Sequence, residues 1–164
     1  MPRKPKTKIV TYTEPDELLA EIGEELIAKH FPFLKDARID YLMRTRQNEG
    51  TDKVVEPRVG EAMGSAKAAG AVDRLLHNWD FRIIVSGNWS AKLNDHDRRA
   101  LLYHQLCHCD MHEGRPRLTR HDFDGFLSEL THFGTWAKPL KDMQEAFLQS
   151  QLDFAEPETA EVTP

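Results

Sequence analysis

Apolar side chains recur at helical spacing in several stretches of this chain and alternate in others. Leu18, Leu19, Ile22, Leu26 and Ile27 fall at intervals of three and four, which lays them along one helix stripe. Thr13-Glu14-Pro15-Asp16 reads as a capping box with proline in the first turn, and Pro32 stops the helix after His30-Phe31. Residues 37–46 alternate, with Ile39, Tyr41 and Met43 on one face, and predict a strand. Asp80-Phe81-Arg82-Ile83-Ile84-Val85 predicts another, short and rich in β-branched and aromatic residues. Residues 54–79 support two assignments. Val54-Val55 and Val59 suit a strand broken by Pro57, and the alanine-rich run from Met63 to Ala71 suits a helix weakened by Gly60, Gly64 and Gly70.

Asn94 and Asp97 form a start signal for a helix running through Ala100-Leu101-Leu102-Tyr103-His104 to about His112, with Gly114 and Pro116 as its stop. Thr119-Arg120-His121-Asp122 predicts a further capping box, opening a helix through Phe123, Phe126, Leu127 and Leu130 with Gly134 just past its end. Leu140, Met143, Phe147 and Leu148 mark a last amphipathic helix.

Composition narrows the class. The 164 residues suffice for one domain with a substantial core, and 40% hydrophobic with 30% charged is ordinary for a globular protein. The expected organisation is a basic flexible arm over 1–12 (Arg3, Lys4, Lys6, Lys8), a domain over 13–152 and an acidic disordered tail over 153–164. A net charge of −5 argues against a general nucleic-acid binder. No run approaches the roughly 18 apolar residues of a membrane span, and the N-terminus lacks an apolar signal core. With two cysteines, Cys107 and Cys109, the expected setting is the reducing cytoplasm. Oligomeric state is not legible.

Chemistry concentrates at His104-Gln105-Leu106-Cys107-His108. Two histidines four apart on a helix project from adjacent turns and can share one Zn²⁺. Where helical zinc proteases place a glutamate that takes a proton from the attacking water, this chain has Gln105. An amide matches a carboxylate in shape but is no base at neutral pH. Three residues are candidates for a third ligand: His112, whose Cα would lie about 12 Å along the same helix from that of His104; Glu129, 21 residues past His108; and His121, 13 residues past it. Asp122 or Asp124 could orient a ligand imidazole, and Asp122 equally suits the cap. Cys107 and Cys109 are expected to be small buried residues rather than ligands. His30, His77, His96 and His132 have no partner spacing, and Trp79, Trp89 and Trp136 suit core or cleft wall.

The run Asp80-Phe81, Trp89, Arg99 through Cys109, and His121-Asp122-Phe123-Asp124-Gly125-Phe126 resembles the phage metallopeptidase family, itself similar to the SprT-like zincins. The resemblance covers roughly residues 14–136. It implies an α+β, zincin-like fold: a small, mostly antiparallel sheet packed on the HxxxH helix, with sheet in the ambiguous 54–79 stretch near strand 81–85. It implies Zn²⁺ held by His104, His108 and His121, glutamate where Gln105 stands, and a protein or peptide substrate. SprT-like relatives imply a DNA-linked role, for which this acidic chain shows no zinc ribbon or strong basic patch. Gln105 fits an engineered substitution, a naturally inactive homologue, or an ordinary helix residue. The resulting expectation is a zinc-dependent peptidase inactive as written; the alternative is a non-catalytic zinc-binding interaction module of phage or prophage origin.

Overall fold

The computed structural model describes residues 7–51, 53–55, 57, 63–122 and 125–153. Arm residues 1–6, Val59, Gly60, Phe123, Asp124 and most of the acidic tail, 154–164, lie outside the described residues.

The elements run β1 (Lys8–Thr13), α1 (Glu17–His30), β2 (Ile39–Asn48), β3 (Gly64–Ala68), α2 (Ala71–His77), β4 (Phe81–Ser86), α3 (Trp89–Lys92), α4 (Asp95–Cys107), β5 (Cys109–His112), β6 (Arg115–Leu118), α5 (Leu127–Phe133) and α6 (Lys138–Asp153). The fold is α+β. Four strands form a sheet in the order β1-β2-β4-β3, and β5 with β6 forms a separate hairpin. Every pairing is antiparallel except β2 with β4.

β1 corrects the expected arm. Lys8 to Thr13 pair along β2, so the basic residue Lys8 begins an edge strand. Ile9, Val10 and Tyr12 supply the β propensity that the charge count concealed. Asp16, not Thr13, caps α1, its carboxylate accepting the Leu19 amide at 2.9 Å. Its other oxygen accepts from Trp89 Nε1 at 3.1 Å, tying this helix start to α3.

Alternation in β4 buries Phe81, Ile83 and Val85 against α1 and α4. Leu19, Ile22 and Leu26 come from α1 and Leu102 and Leu106 from α4, all nearly inaccessible. Each such side chain contributes about 1.5–3 kcal/mol on burial. α1 crosses β2 at Gly23, where a Cβ would fall 2.2 Å from the Tyr41 hydroxyl. In the ambiguous stretch the alanine-rich run corrects the helix expected over Met63 to Ala71: it is strand β3, paired with β4 as the resemblance implied, and the short helix α2 begins only at Ala71. Val54 makes an isolated bridge to Gln47. Among the described residues no helix is long and apolar enough to cross a membrane.

Candidate metal centre

α4 begins as expected, with Asn94 accepting the Asp97 amide at 2.8 Å. It ends earlier than expected. Cys107 is its last residue and His108 its C-cap, with φ −71° and ψ −24°. Glu113 (φ 51°) and Gly114 (φ 72°) both adopt left-handed backbone, as a two-residue hairpin turn requires, and so fold 109–118 back on itself. Gly114 is therefore a hairpin turn residue and not a helix stop, and exposed His112 lies on β5, outside the histidine cluster. The predicted helix at 119 is also displaced. His121 lies in a loop, and α5 starts only at Leu127, whose amide donates to Asp122 at 3.0 Å.

The hairpin delivers His121 back to α4. Its Nε2 lies 3.1 Å from His104 Nε2 and 3.0 Å from His108 Nε2. Phe126, itself buried, packs edge-on against all three rings at centroid distances of 5.4, 4.9 and 5.0 Å.

The outer nitrogens determine the tautomers. His108 Nδ1 lies 2.8 Å from the Thr119 carbonyl, which only accepts, so Nδ1 carries the hydrogen. His104 Nδ1 lies 2.8 Å from a carboxylate oxygen of Glu129 and donates to it. Burial, opposed by the Thr119 contact and helped by the neighbouring imidazoles, lowers the pKa of His108 and favours its neutral form. Both Nε2 atoms therefore present lone pairs to His121 Nε2. A single hydrogen there could satisfy only one of them, whereas one cation satisfies all three. Separations near 3 Å suit nitrogens about 2.0–2.1 Å from a shared tetrahedral ion. The donor set fits a divalent metal, and these three residues are a group able to hold one.

Glu129 is neither a third ligand nor a solvent-facing residue. It is 1% exposed. One oxygen accepts from His104 and from the Phe126 amide (3.2 Å), and the other accepts from Trp136 Nε1. Burial raises its pKa, but the hydrogen bond from His104, with the Trp136 and Phe126 donors, outweighs it and leaves a net lowering. The spacing signal was present, since Glu129 stands out in sequence at a ligand-like distance. Its true partner, a nitrogen pointing away from the cluster centre, depends on a loop that periodicity did not foresee.

Gln105 is 4% exposed and faces β3. A Cβ on Gly64 would sit 3.2 Å from its amide nitrogen and 3.3 Å from Cδ and Cγ. Glycine at the start of β3 thus gives the side chain room. The cysteines stay outside the cluster. Burial pushes both thiols up to about 12, Cys107 pairs with Ser128 Oγ, and Cys109 donates to the Gln105 carbonyl, each at 3.5 Å. Neither is a thiolate at neutral pH, the form that binds metal. His30 and His132 pack with Tyr103, His96 bonds Asp97, Trp79 and Trp89 are core, and Trp136 braces Glu129.

This three-histidine cluster, on an α+β fold, is a group that could hold one metal ion. The chain belongs to a family described as putative phage metallopeptidase, whose sequence model matches residues 11–147. No curated protein and no solved structure matches it.

Proposed function

We propose that this chain is a zinc-binding member of the metallopeptidase family with a zincin-like arrangement, inactive as written because Gln105 occupies the place of the general base. The observation that carries the metal assignment is the tautomer pair: two imidazoles whose Nδ1 hydrogens are committed elsewhere, and whose lone pairs meet the third ring at about 3 Å. His104, His108 and His121 would hold the ion. A bound Zn²⁺ supplies Lewis acidity, polarising a scissile carbonyl and lowering the pKa of water toward neutrality.

The chain's own residues contribute the rest. Glu129 orients His104 and increases its basicity. Phe126 shields the three rings from water on one side. Gln105 donates or accepts hydrogen bonds but takes no proton, so the step that deprotonates the nucleophile and reprotonates the leaving amine has no carrier at that position. Gln105→Glu is nearly isosteric and sits in the space that Gly64 leaves open. It is expected to create peptidase activity at unchanged zinc content, with a gain of about 10²–10⁴ over the glutamine form. Equal activity of the two forms would place the base elsewhere.

The alternative function is a non-catalytic zinc-stabilised module that binds a protein partner in the same cleft, and the amide at Gln105 is what favours it. It predicts no cleavage from Gln105→Glu and partner binding weakened by the new charge. Absence of cleavage by the glutamate form across a whole proteome, at full zinc loading, would select this function over the first.

A further inference from the structure

Two histidines outside the metal centre, far apart in sequence, meet in the fold. His30 is the last residue of α1, and His132 lies in the last turn of α5. Their ring centroids are 4.6 Å apart, with planes inclined at 58°. The metal centre supplies the comparison. There His108 and His121 have the same 4.6 Å separation, and His104 and His121 stand at 4.8 Å and 58°. Those two pairs hold their Nε2 atoms 3.0 and 3.1 Å apart. Imidazole χ2 is a broad, soft torsion. Two rings at this spacing therefore need only a turn about it to aim one nitrogen each at a shared ion about 2.0–2.1 Å from both.

The surroundings hold the pair in place. Tyr103, itself buried, packs its ring against both imidazoles at centroid distances of 5.3 and 5.4 Å, and Phe31 meets His30 edge-on at 6.5 Å. His30 is half-buried and His132 exposed, so one ring is anchored and the other faces water. Among the described residues neither makes a hydrogen bond or an ion pair, which leaves a lone pair on each neutral ring uncommitted. Burial, then the charges of His132 and Lys29, lowers the pKa of His30 and keeps its lone pair unprotonated at neutral pH. Both rings also sit where the unpaired carbonyls of a helix end favour a cation. Lys29 opposes this, but it is exposed and screened by water and salt. The groups acting on His30 include no carboxylate, so the donors are imidazole nitrogens alone. That set suits nickel, copper or zinc and not calcium or magnesium, which take oxygen ligands.

We propose that His30 and His132 form a second metal site, for a divalent ion of the nickel–copper–zinc group, with water in the remaining coordination positions. It is weaker than the first centre, having two protein ligands instead of three, and shares none with it. An ion there ties the end of α1 to the end of α5, the helix that carries Glu129.

The test is calorimetric titration of the zinc-loaded full chain with Ni²⁺, with retained zinc counted by elemental analysis. The expected result is about one further equivalent of metal taken up with the zinc kept. His30→Gln and His132→Gln should each abolish that equivalent, whereas His112→Gln, at an exposed position on β5, should leave it intact. Unchanged melting temperature and zinc content would show the variants folded. A second readout needs no variant: in the parent chain, a small amount of paramagnetic Ni²⁺ should broaden the imidazole resonances of His30 and His132 before those of His77, His96 and His112. Absence of a further equivalent would reduce the pair to a packing contact on Tyr103 and overturn the proposal. So would an equivalent that survives either folded variant, zinc released in step with nickel uptake, or first broadening at another histidine.

Discussion

Replacing Glu129 with glutamine perturbs the metal centre through a residue that is no ligand. The carboxylate satisfies three donors: His104 Nδ1, the Phe126 amide and Trp136 Nε1. An amide keeps one oxygen. Turned to serve His104 and Phe126, it opposes the Trp136 N–H with its own NH₂; turned the other way, it abandons His104. One buried donor left unsatisfied costs about 1–3 kcal/mol, and the bond to His104 also loses its charge assistance. For a chain of this size that is a fall in the melting temperature of the metal-free protein of roughly 5 °C. His104 becomes less basic and less firmly oriented, which should weaken zinc about 10–100-fold, or about 1.4–2.7 kcal/mol. Competition with a chromogenic chelator measures the affinity, and a thermal melt of the apo protein measures stability. Trp136→Phe is the control, since it removes one N–H while leaving the carboxylate on His104; it should lower stability and leave zinc affinity within a few-fold. A Glu129→Gln variant with lower stability but unchanged zinc affinity would refute the orienting role.

Three further outcomes are expected. Chelation should lower the melting temperature, because the ion joins α4 to the loop before α5; at about 100 times its dissociation constant it stabilises by about 2.7 kcal/mol, and an unchanged melt after verified metal removal would count against this. Asp80, 3% exposed, is held down to about 2 chiefly by its Arg38 hydrogen bond, with burial opposing and Arg74 assisting. A depressed carboxyl pKa gives stability that is full above its unfolded value of 3.8 and lost as pH falls toward 2, so acid titration of stability should show a loss of about 2 kcal/mol across that range that Asp80→Asn lacks. Gly64→Val should disturb Gln105 and cost about 1–3 kcal/mol, and a variant as stable as the parent would show that β3 yields easily there.

The parts legible in sequence were those set by local periodicity and short-range caps. The stripe from Leu18 to Ile27, the alternation in β2 and β4, and the Asn94 cap all appear where expected. The ligand candidates His104, His108 and His121 come together. The errors share a cause. Helical spacing through His112 suggested a longer α4, but the Glu113-Gly114 turn pairs β5 with β6, and tertiary pairing overrode propensity. The same hairpin repositions His121 and releases Glu129 from the ligand role, so one missed turn accounts for several site details.

The central claim is that three imidazoles and no thiolate hold one zinc ion. X-ray absorption at the zinc edge on the zinc-loaded protein tests it directly. The account predicts about three imidazole nitrogens at about 2.0–2.1 Å and no sulfur shell. A sulfur shell near about 2.3 Å would bring Cys107 or Cys109 into the site and contradict the account, as would an unchanged imidazole signal in His121→Ala.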